Sequence, residues 1–407
     1  MNPNAFKVLF SLSFLLALPA LFAQLAVEGD VLHTMAGESI PDGVILIREG
    51  KFLEVGSSDA VEIPEGWPTL SAAVVTPGLI DARTVVGLSG LLNQKHDQEQ
   101  LELSAAIQPD LRAFDAYNAR DELVDWVRNF GVTTIHTGHA PGALISGQTM
   151  ILKTDRENIS DGILRPYAML AGSMGRSGFS RNEKKSPGTR AKSIAMLRTQ
   201  LIKTREYLRK REQADADKEP PRDLKLEALG EVLQGRVPLL LTAHRHQDIV
   251  SAIRLAKEFA FPLILDGASE AHLVLEEIKE AGAPVIVHPT MVRAQGELEN
   301  ATLEMAAILE REGILFAMQS GYETYVPKTR VVLFEAAMAL AYGLSFEAAL
   351  RSITINAAKL LGMDDRIGSI EAGKDADLAL FDGDPFEYAT HCTAVIIDGS
   401  VVKEEPH

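Results

Sequence analysis

A few side chains in this sequence fall in patterns that could do chemistry. His136 and His139 stand in "HTGHAPGALISGQT", His244 and His246 in "AHRHQDIV", and His288 in "VIVHP". The spacing His244-Arg245-His246 can put two imidazoles on one face of a strand, a common way to hold a metal. Asp266, in "LILDGAS", is a carboxylate closing an apolar run, able to ligate a cation, serve as a base, or simply cap a turn. Arg83 follows another apolar run, "VVTPGLIDAR". Its guanidinium can grip a carboxylate with two parallel hydrogen bonds, or can pair with Asp81 two residues earlier. Ser146 and Gln148 lie in a Gly-rich turn, but no Gly-x-Ser-x-Gly is present to make a serine nucleophile.

These residues need elements to position them. Apolar runs at 133–136, 237–241, 261–265, 283–287 and 314–318 read as buried strands, and between them lie amphipathic stretches such as 249–259. Strand-helix alternation of this length makes a parallel sheet, and a (β/α)8 TIM-type barrel is its natural closure. His136, His244, Asp266 and His288 then sit near carboxyl ends of strands, where such barrels keep their sites. Both ends of the chain have a different texture, short strands broken by Gly and Asp-Gly turns, as in "DGVILIREGKFLEVG" and "AVIIDGSVV". The expected organisation is therefore α/β. A small composite β-sandwich domain comes from residues 24–75 and 363–407, and the barrel from 76–362. A charged helical insertion falls at about 186–221, where Ile194, Leu197, Leu201 and Leu208 recur at helical spacing.

Residues 1–23 read as a signal peptide, with Lys7, an apolar run from Val8 to Leu18, and Ala23 before Gln24. The expectation is export, to the periplasm or outside the cell. A net charge of −16 argues against nucleic acid and anionic membrane as partners. A single cysteine, Cys392, leaves no intramolecular disulfide to form.

"VTPGLID" at 75–81, together with "IGSIEAGKDADLALFDGDP" at 367–385, resembles the amidohydrolase superfamily, in particular its imidazolonepropionase-like branch. The resemblance implies the same barrel and composite domain, and a metal-dependent hydrolase of C–N bonds in small amides or peptide-like substrates. It also implies where ligands belong. The first strand's two histidines fall on Arg83 and Val85. A further ligand position falls on Thr242, with His244 two residues on. Asp266 takes the place of a histidine, and the last strand's aspartate falls on or beside Ser320. Most of the ligand set is thus replaced. The expectation is no binuclear centre, and at most one divalent metal such as zinc, held by His244, Asp266 and His288. His244 and Asp266 are the catalytic candidates, and Arg83, His136 and Ser320 the substrate-binding ones. The partner is a small-molecule substrate, and Arg83 would suit an anionic one. The competing reading is an exported, non-catalytic binding or scaffold protein that keeps the fold.

Overall fold

The computed structural model describes residues 24–91, 94–155, 159–179, 187–215, 219–290, 294–322 and 331–404. The signal-peptide region lies outside them, as do parts of the 186–221 segment. Four strands open the described chain: β1 (Gln24–Leu32), β2 (Ile40–Arg48), β3 (Lys51–Ser57) and β4 (Thr69–Pro77). The middle carries β5 (Leu79–Thr84), β6 (Val132–Thr137), β7 (Gly147–Gln148), β8 (Met150–Lys153) and β9 (Ile163–Arg165). It continues with β10 (Leu170–Ser173), β11 (Leu239–Ala243), β12 (Leu263–Gly267), β13 (Val285–Val287) and β14 (Phe316–Ala317). The end adds β15 (Leu378–Phe381), β16 (Cys392–Ile397) and β17 (Ser400–Lys403).

Strands from both ends share one seven-stranded sheet, in the order β17-β16-β15-β4-β1-β2-β3. The joint is β4 against β15, antiparallel, with Val75 opposite Leu380. The turn between β2 and β3 is the expected one, with Glu49 and Gly50 both at positive φ. This is one continuous sheet, not the pair of facing sheets that a sandwich requires.

The strands assigned to a closed eight-stranded barrel also divide. Six form the order β14-β13-β12-β11-β10-β7 and four the order β5-β6-β8-β9. The departure begins after β6. The chain from 138 to 149 makes no helix, and without a crossover helix β8 runs back antiparallel against β6. Backbone bonds still link the two sheets at both margins: Ala82 N–H to Met318 C=O (3.3 Å) on one side and Thr149 N–H to Met169 C=O (2.8 Å) on the other. Side chains alternate accordingly. Ile80, Ile151, Ala171, Leu240, Ile264, Ile286 and Ala317 meet in one apolar cluster lined by both sheets. Their neighbours, such as Leu79, Leu152, Leu241, Leu265 and Val287, join a larger cluster that includes helix residues.

Three of the observed strands, β11, β12 and β13, begin two residues later than the apolar runs at 237–241, 261–265 and 283–287 suggest. Each of these three runs contains a proline, which cannot donate to a ladder. Pro238, Pro262 and Pro284 serve as acceptors at the strand entrances instead, as in Leu265 N–H to Pro284 C=O (3.0 Å). The charged segment is no loose arm. It forms the helix Arg190–Gln213, capped by Thr189, with Leu197, Leu201 and Tyr207 buried. Leu197 and Leu201 belong to the larger apolar cluster, so the helix fills a place in the outer layer between β10 and β11.

Candidate functional site

Strand alternation builds the site. One step beyond Leu240, Ile264, Ile286 and Ala317 on the same faces come Thr242, Asp266, His288 and Gln319. An apolar floor thus gives way to a polar layer at the carboxyl ends of the strands. Asp266 is fully buried at its centre. Its Oδ2 accepts from the Thr242 hydroxyl at 2.5 Å and its Oδ1 from Gln319 Nε2 at 2.7 Å. Burial raises its pKa, against the opposing pull of Arg83 and these two donors. Thr242, Asp266 and Gln319, all at or beside the inherited ligand positions, are therefore engaged with one another.

His244 continues the same face of β11. Its Nδ1 meets the Ser269 hydroxyl at 2.9 Å, which leaves Nε2 for a ligand. Gly267, at φ +79°, lets the ring lie close, since a Cβ there would be 2.5 Å from His244 Cε1. His288 uses Nδ1 on the Pro289 carbonyl at 3.0 Å, while its buried Nε2 has no partner among the described residues. Both imidazoles border a cavity of about 350 Å3, with Arg176, Ser177, Glu297 and Tyr322 also on its walls. Enclosure by protein pushes His244 down to about 4, with His288 adding to the push, and burial likewise lowers His288. At neutral pH the cavity presents two uncharged imidazoles. Glu297 accepts from the Arg176 backbone N–H at 2.8 Å and pairs with Arg190, which also holds Asp248 at 2.9 Å. The cavity rim is thereby tied to the helix Arg190–Gln213.

Arg83 of β5 is buried, 1% exposed. Its Nη2 donates to the His139 carbonyl, while Nε and Nη1 have no acceptor among the described residues. Burial lowers its pKa, opposed by Asp266, Tyr322 and Asp81. Asp81 does not pair with the guanidinium. Its Oδ1 accepts from the backbone N–H groups of Arg83 and Ser320, each at 3.1 Å. Burial pushes Asp81 up to about 7.

The remaining sequence candidates fare unevenly. His136 is fully buried, with its ring nitrogens on the Ala82 carbonyl (2.7 Å) and the Thr149 hydroxyl (2.6 Å). Neither nitrogen is left for a substrate. Ser320 turns its hydroxyl to Thr84 at 2.9 Å. His246 opens a helix and meets Glu270 at 2.7 Å, so His244 and His246 are not a ligand pair. Among the described residues no three His, Cys, Asp or Glu side chains are gathered to hold a metal ion. His244, Asp266 and His288 therefore do not fit a three-ligand catalytic centre, and Arg83 on β5 acts electrostatically on Asp266. Sequence reasoning passed over Gln319, Tyr322, Arg176 and Ser269. Only Gln319 left a signal, because alternation from Ala317 selects it over Ser320.

A polar cluster at the carboxyl ends of barrel-type strands, beside a sheet drawn from both chain ends, is the arrangement of a hydrolase class. The Amidohydrolase family model matches residues 325–403. The chain is 27% identical over 398 residues to the amidohydrolase tasK of Hapsidospora irregularis, covering 89% of this chain and 40% of that protein. It is 23% identical over 397 residues to the imidazolonepropionase of Sphingopyxis alaskensis, covering 88% of this chain and 91% of that one. The crystal structure of an amidohydrolase from Thermotoga maritima superposes with a TM-score of 0.88 at 29% identity, over 94% of this chain and all of that one (100%). Over nearly its whole length the chain is thus similar to the amidohydrolase superfamily, in particular to imidazolonepropionases, hydrolases acting on carbon–nitrogen bonds.

Proposed function

We propose that this protein is an exported hydrolase of a carbon–nitrogen bond in a small amide or dipeptide-like substrate, working with a reduced metal site. The observation that carries the reading is the meeting of His244 and His288 on one cavity at the carboxyl ends of β11 and β13. That is the end of the strands where the fold keeps its chemistry. His244, oriented by Ser269, is the group best placed to accept a proton from an attacking water. A lone general base contributes typically about 10²–10⁴-fold, so a strained or activated amide suits this site better than a plain peptide bond. The backbone bonds at the two sheet margins support treating the ten middle strands as a barrel interrupted by one antiparallel return. The seven-stranded sheet supports treating 24–75 and 363–407 as one domain.

A second reading is favoured by Asp266, both of whose oxygens are engaged by Thr242 and Gln319. It is a binding protein that keeps the fold without turnover. A panel of cyclic amides, N-acyl amino acids and dipeptides, incubated with purified protein with and without EDTA, separates the two. Hydrolysis that falls at least about 100-fold in both His244→Ala and His288→Ala is expected. Turnover unchanged in both variants, or none on any substrate, would sink the hydrolase reading.

A further inference from the structure

Arg83 is among the largest fully buried side chains of the protein, and its charge has no counter-ion in contact. Among the described residues no carboxylate lies within ion-pair distance of the guanidinium. Asp81 spends Oδ1 on two backbone N–H groups and Asp266 spends both oxygens on Thr242 and Gln319. Among the described residues two guanidinium nitrogens have no acceptor and neither ring nitrogen of His139 has a partner, while the His139 carbonyl takes the third guanidinium nitrogen. Buried donors without partners are costly, most of all charged ones, and native proteins keep few of them. A cluster like this one fits a ligand that brings acceptors with it.

We propose that Arg83 is a carboxylate-binding site, and that the protein's ligand is a small organic acid whose carboxylate seats on this guanidinium. The site stands where the first strand of relatives would supply metal-binding histidines. Tyr322 relates it to the cavity, which it lines while also acting electrostatically on Arg83. A volume of about 350 Å3 holds the rest of a small molecule. A monoanion suits the site better than a phosphate dianion. One positive charge balances one negative, and a second would be buried without a counter-charge. The substrate of the proposed hydrolase is then an amide that also carries an acid group, an inference that rests on that reading only for the word substrate.

Calorimetry on the purified protein tests it, with N-acetylglycine, N-acetylproline and their primary amides as probes and inorganic phosphate as a third arm. The acids should bind at least about tenfold more tightly than the matched amides and than phosphate, with or without EDTA. Arg83→Lys keeps the charge and loses the planar fork, and should weaken the acids by about tenfold or more while leaving the amides unchanged. If that variant does not fold, the acid-against-amide difference in melting temperature of the unaltered protein decides alone. Equal binding of acid and amide, acid binding that requires added zinc, or unchanged acid affinity in Arg83→Lys each overturns the proposal. Because binding is read and not turnover, acid preference without hydrolysis overturns only the proposed activity. Hydrolysis without acid preference overturns only this inference.

Discussion

Four histidines are enclosed as neutral groups. Burial lowers His136 to about 3, with Arg83 adding to it, and lowers His139 to about 4 in the same way. His244 falls to about 4 through burial and His288, and His288 is lowered by burial. Their usual value is 6.5, so between that pH and about 4 the unfolded chain takes up protons that the folded chain refuses. His136, His139 and His244 each subtract about 1.4 kcal/mol of stability per pH unit across that window as pH falls, and His288 acts in the same direction. Asp81 works the other way. Its carboxyl, ordinarily 3.8, holds a proton up to about 7 in the folded state, so it favours folding as pH falls. Asp121, Asp266 and Asp377, also raised by burial, act in the same sense as Asp81. Substitution isolates the histidine share: from pH 6.5 to 5, His139→Asn should lose less melting temperature, or gain more, than the parent as pH falls. An identical pH dependence in parent and variant would show that this ring is not held neutral. The residues behind this behaviour were visible in the sequence, but their states were not. His136 and His288 look alike as isolated letters, and only the fold gives one two partners and the other a free nitrogen.

Elements were more legible than residues. Strand-helix alternation announced the barrel layer, and the matching texture of the two ends announced their partnership, because period and turn chemistry are local properties. The antiparallel return of β8 was hidden, since nothing in "HAPGALISGQT" states which way the next strand runs. Sequence also concealed what fixes the end sheet to the rest. Lys153 on β8 is buried among Asp375, Asp377 and Asp398, meeting Asp377 at 3.0 Å and Asp375 at 3.1 Å. Burial alone would lower its pKa, but these carboxylates outweigh burial and raise it. Removing β15 to β17 would strip Lys153 of all three partners and leave Val74 to Pro77 of β4 without the ladder they share with β15. An unpaired apolar strand edge invites aggregation. Truncation after Leu361 should therefore abolish the cooperative melt or make the protein aggregate. A truncated chain that melts like the parent would show that the two ends do not depend on each other.

For the whole molecule, the open question is where it works. The sequence order of Lys7, an apolar run too short to span comfortably, and Ala23 before Gln24 is that of a cleavable export signal. Gln24 is the first residue of β1 and already opposite Arg48, so a chain starting there keeps its full ladder with β2. Among the described residues no helix is long and apolar enough to cross a membrane. We expect little attraction to anionic lipid, because a chain of net charge −16 is repelled by it. We expect protein recovered from the producing cell to have a mature mass that starts at or near Gln24, and to be found outside the cytoplasm. Intact-mass spectrometry of fractionated cells reads both at once. A cytoplasmic protein that retains Met1 would overturn export, while leaving the sheet, the cavity and the buried guanidinium as they stand.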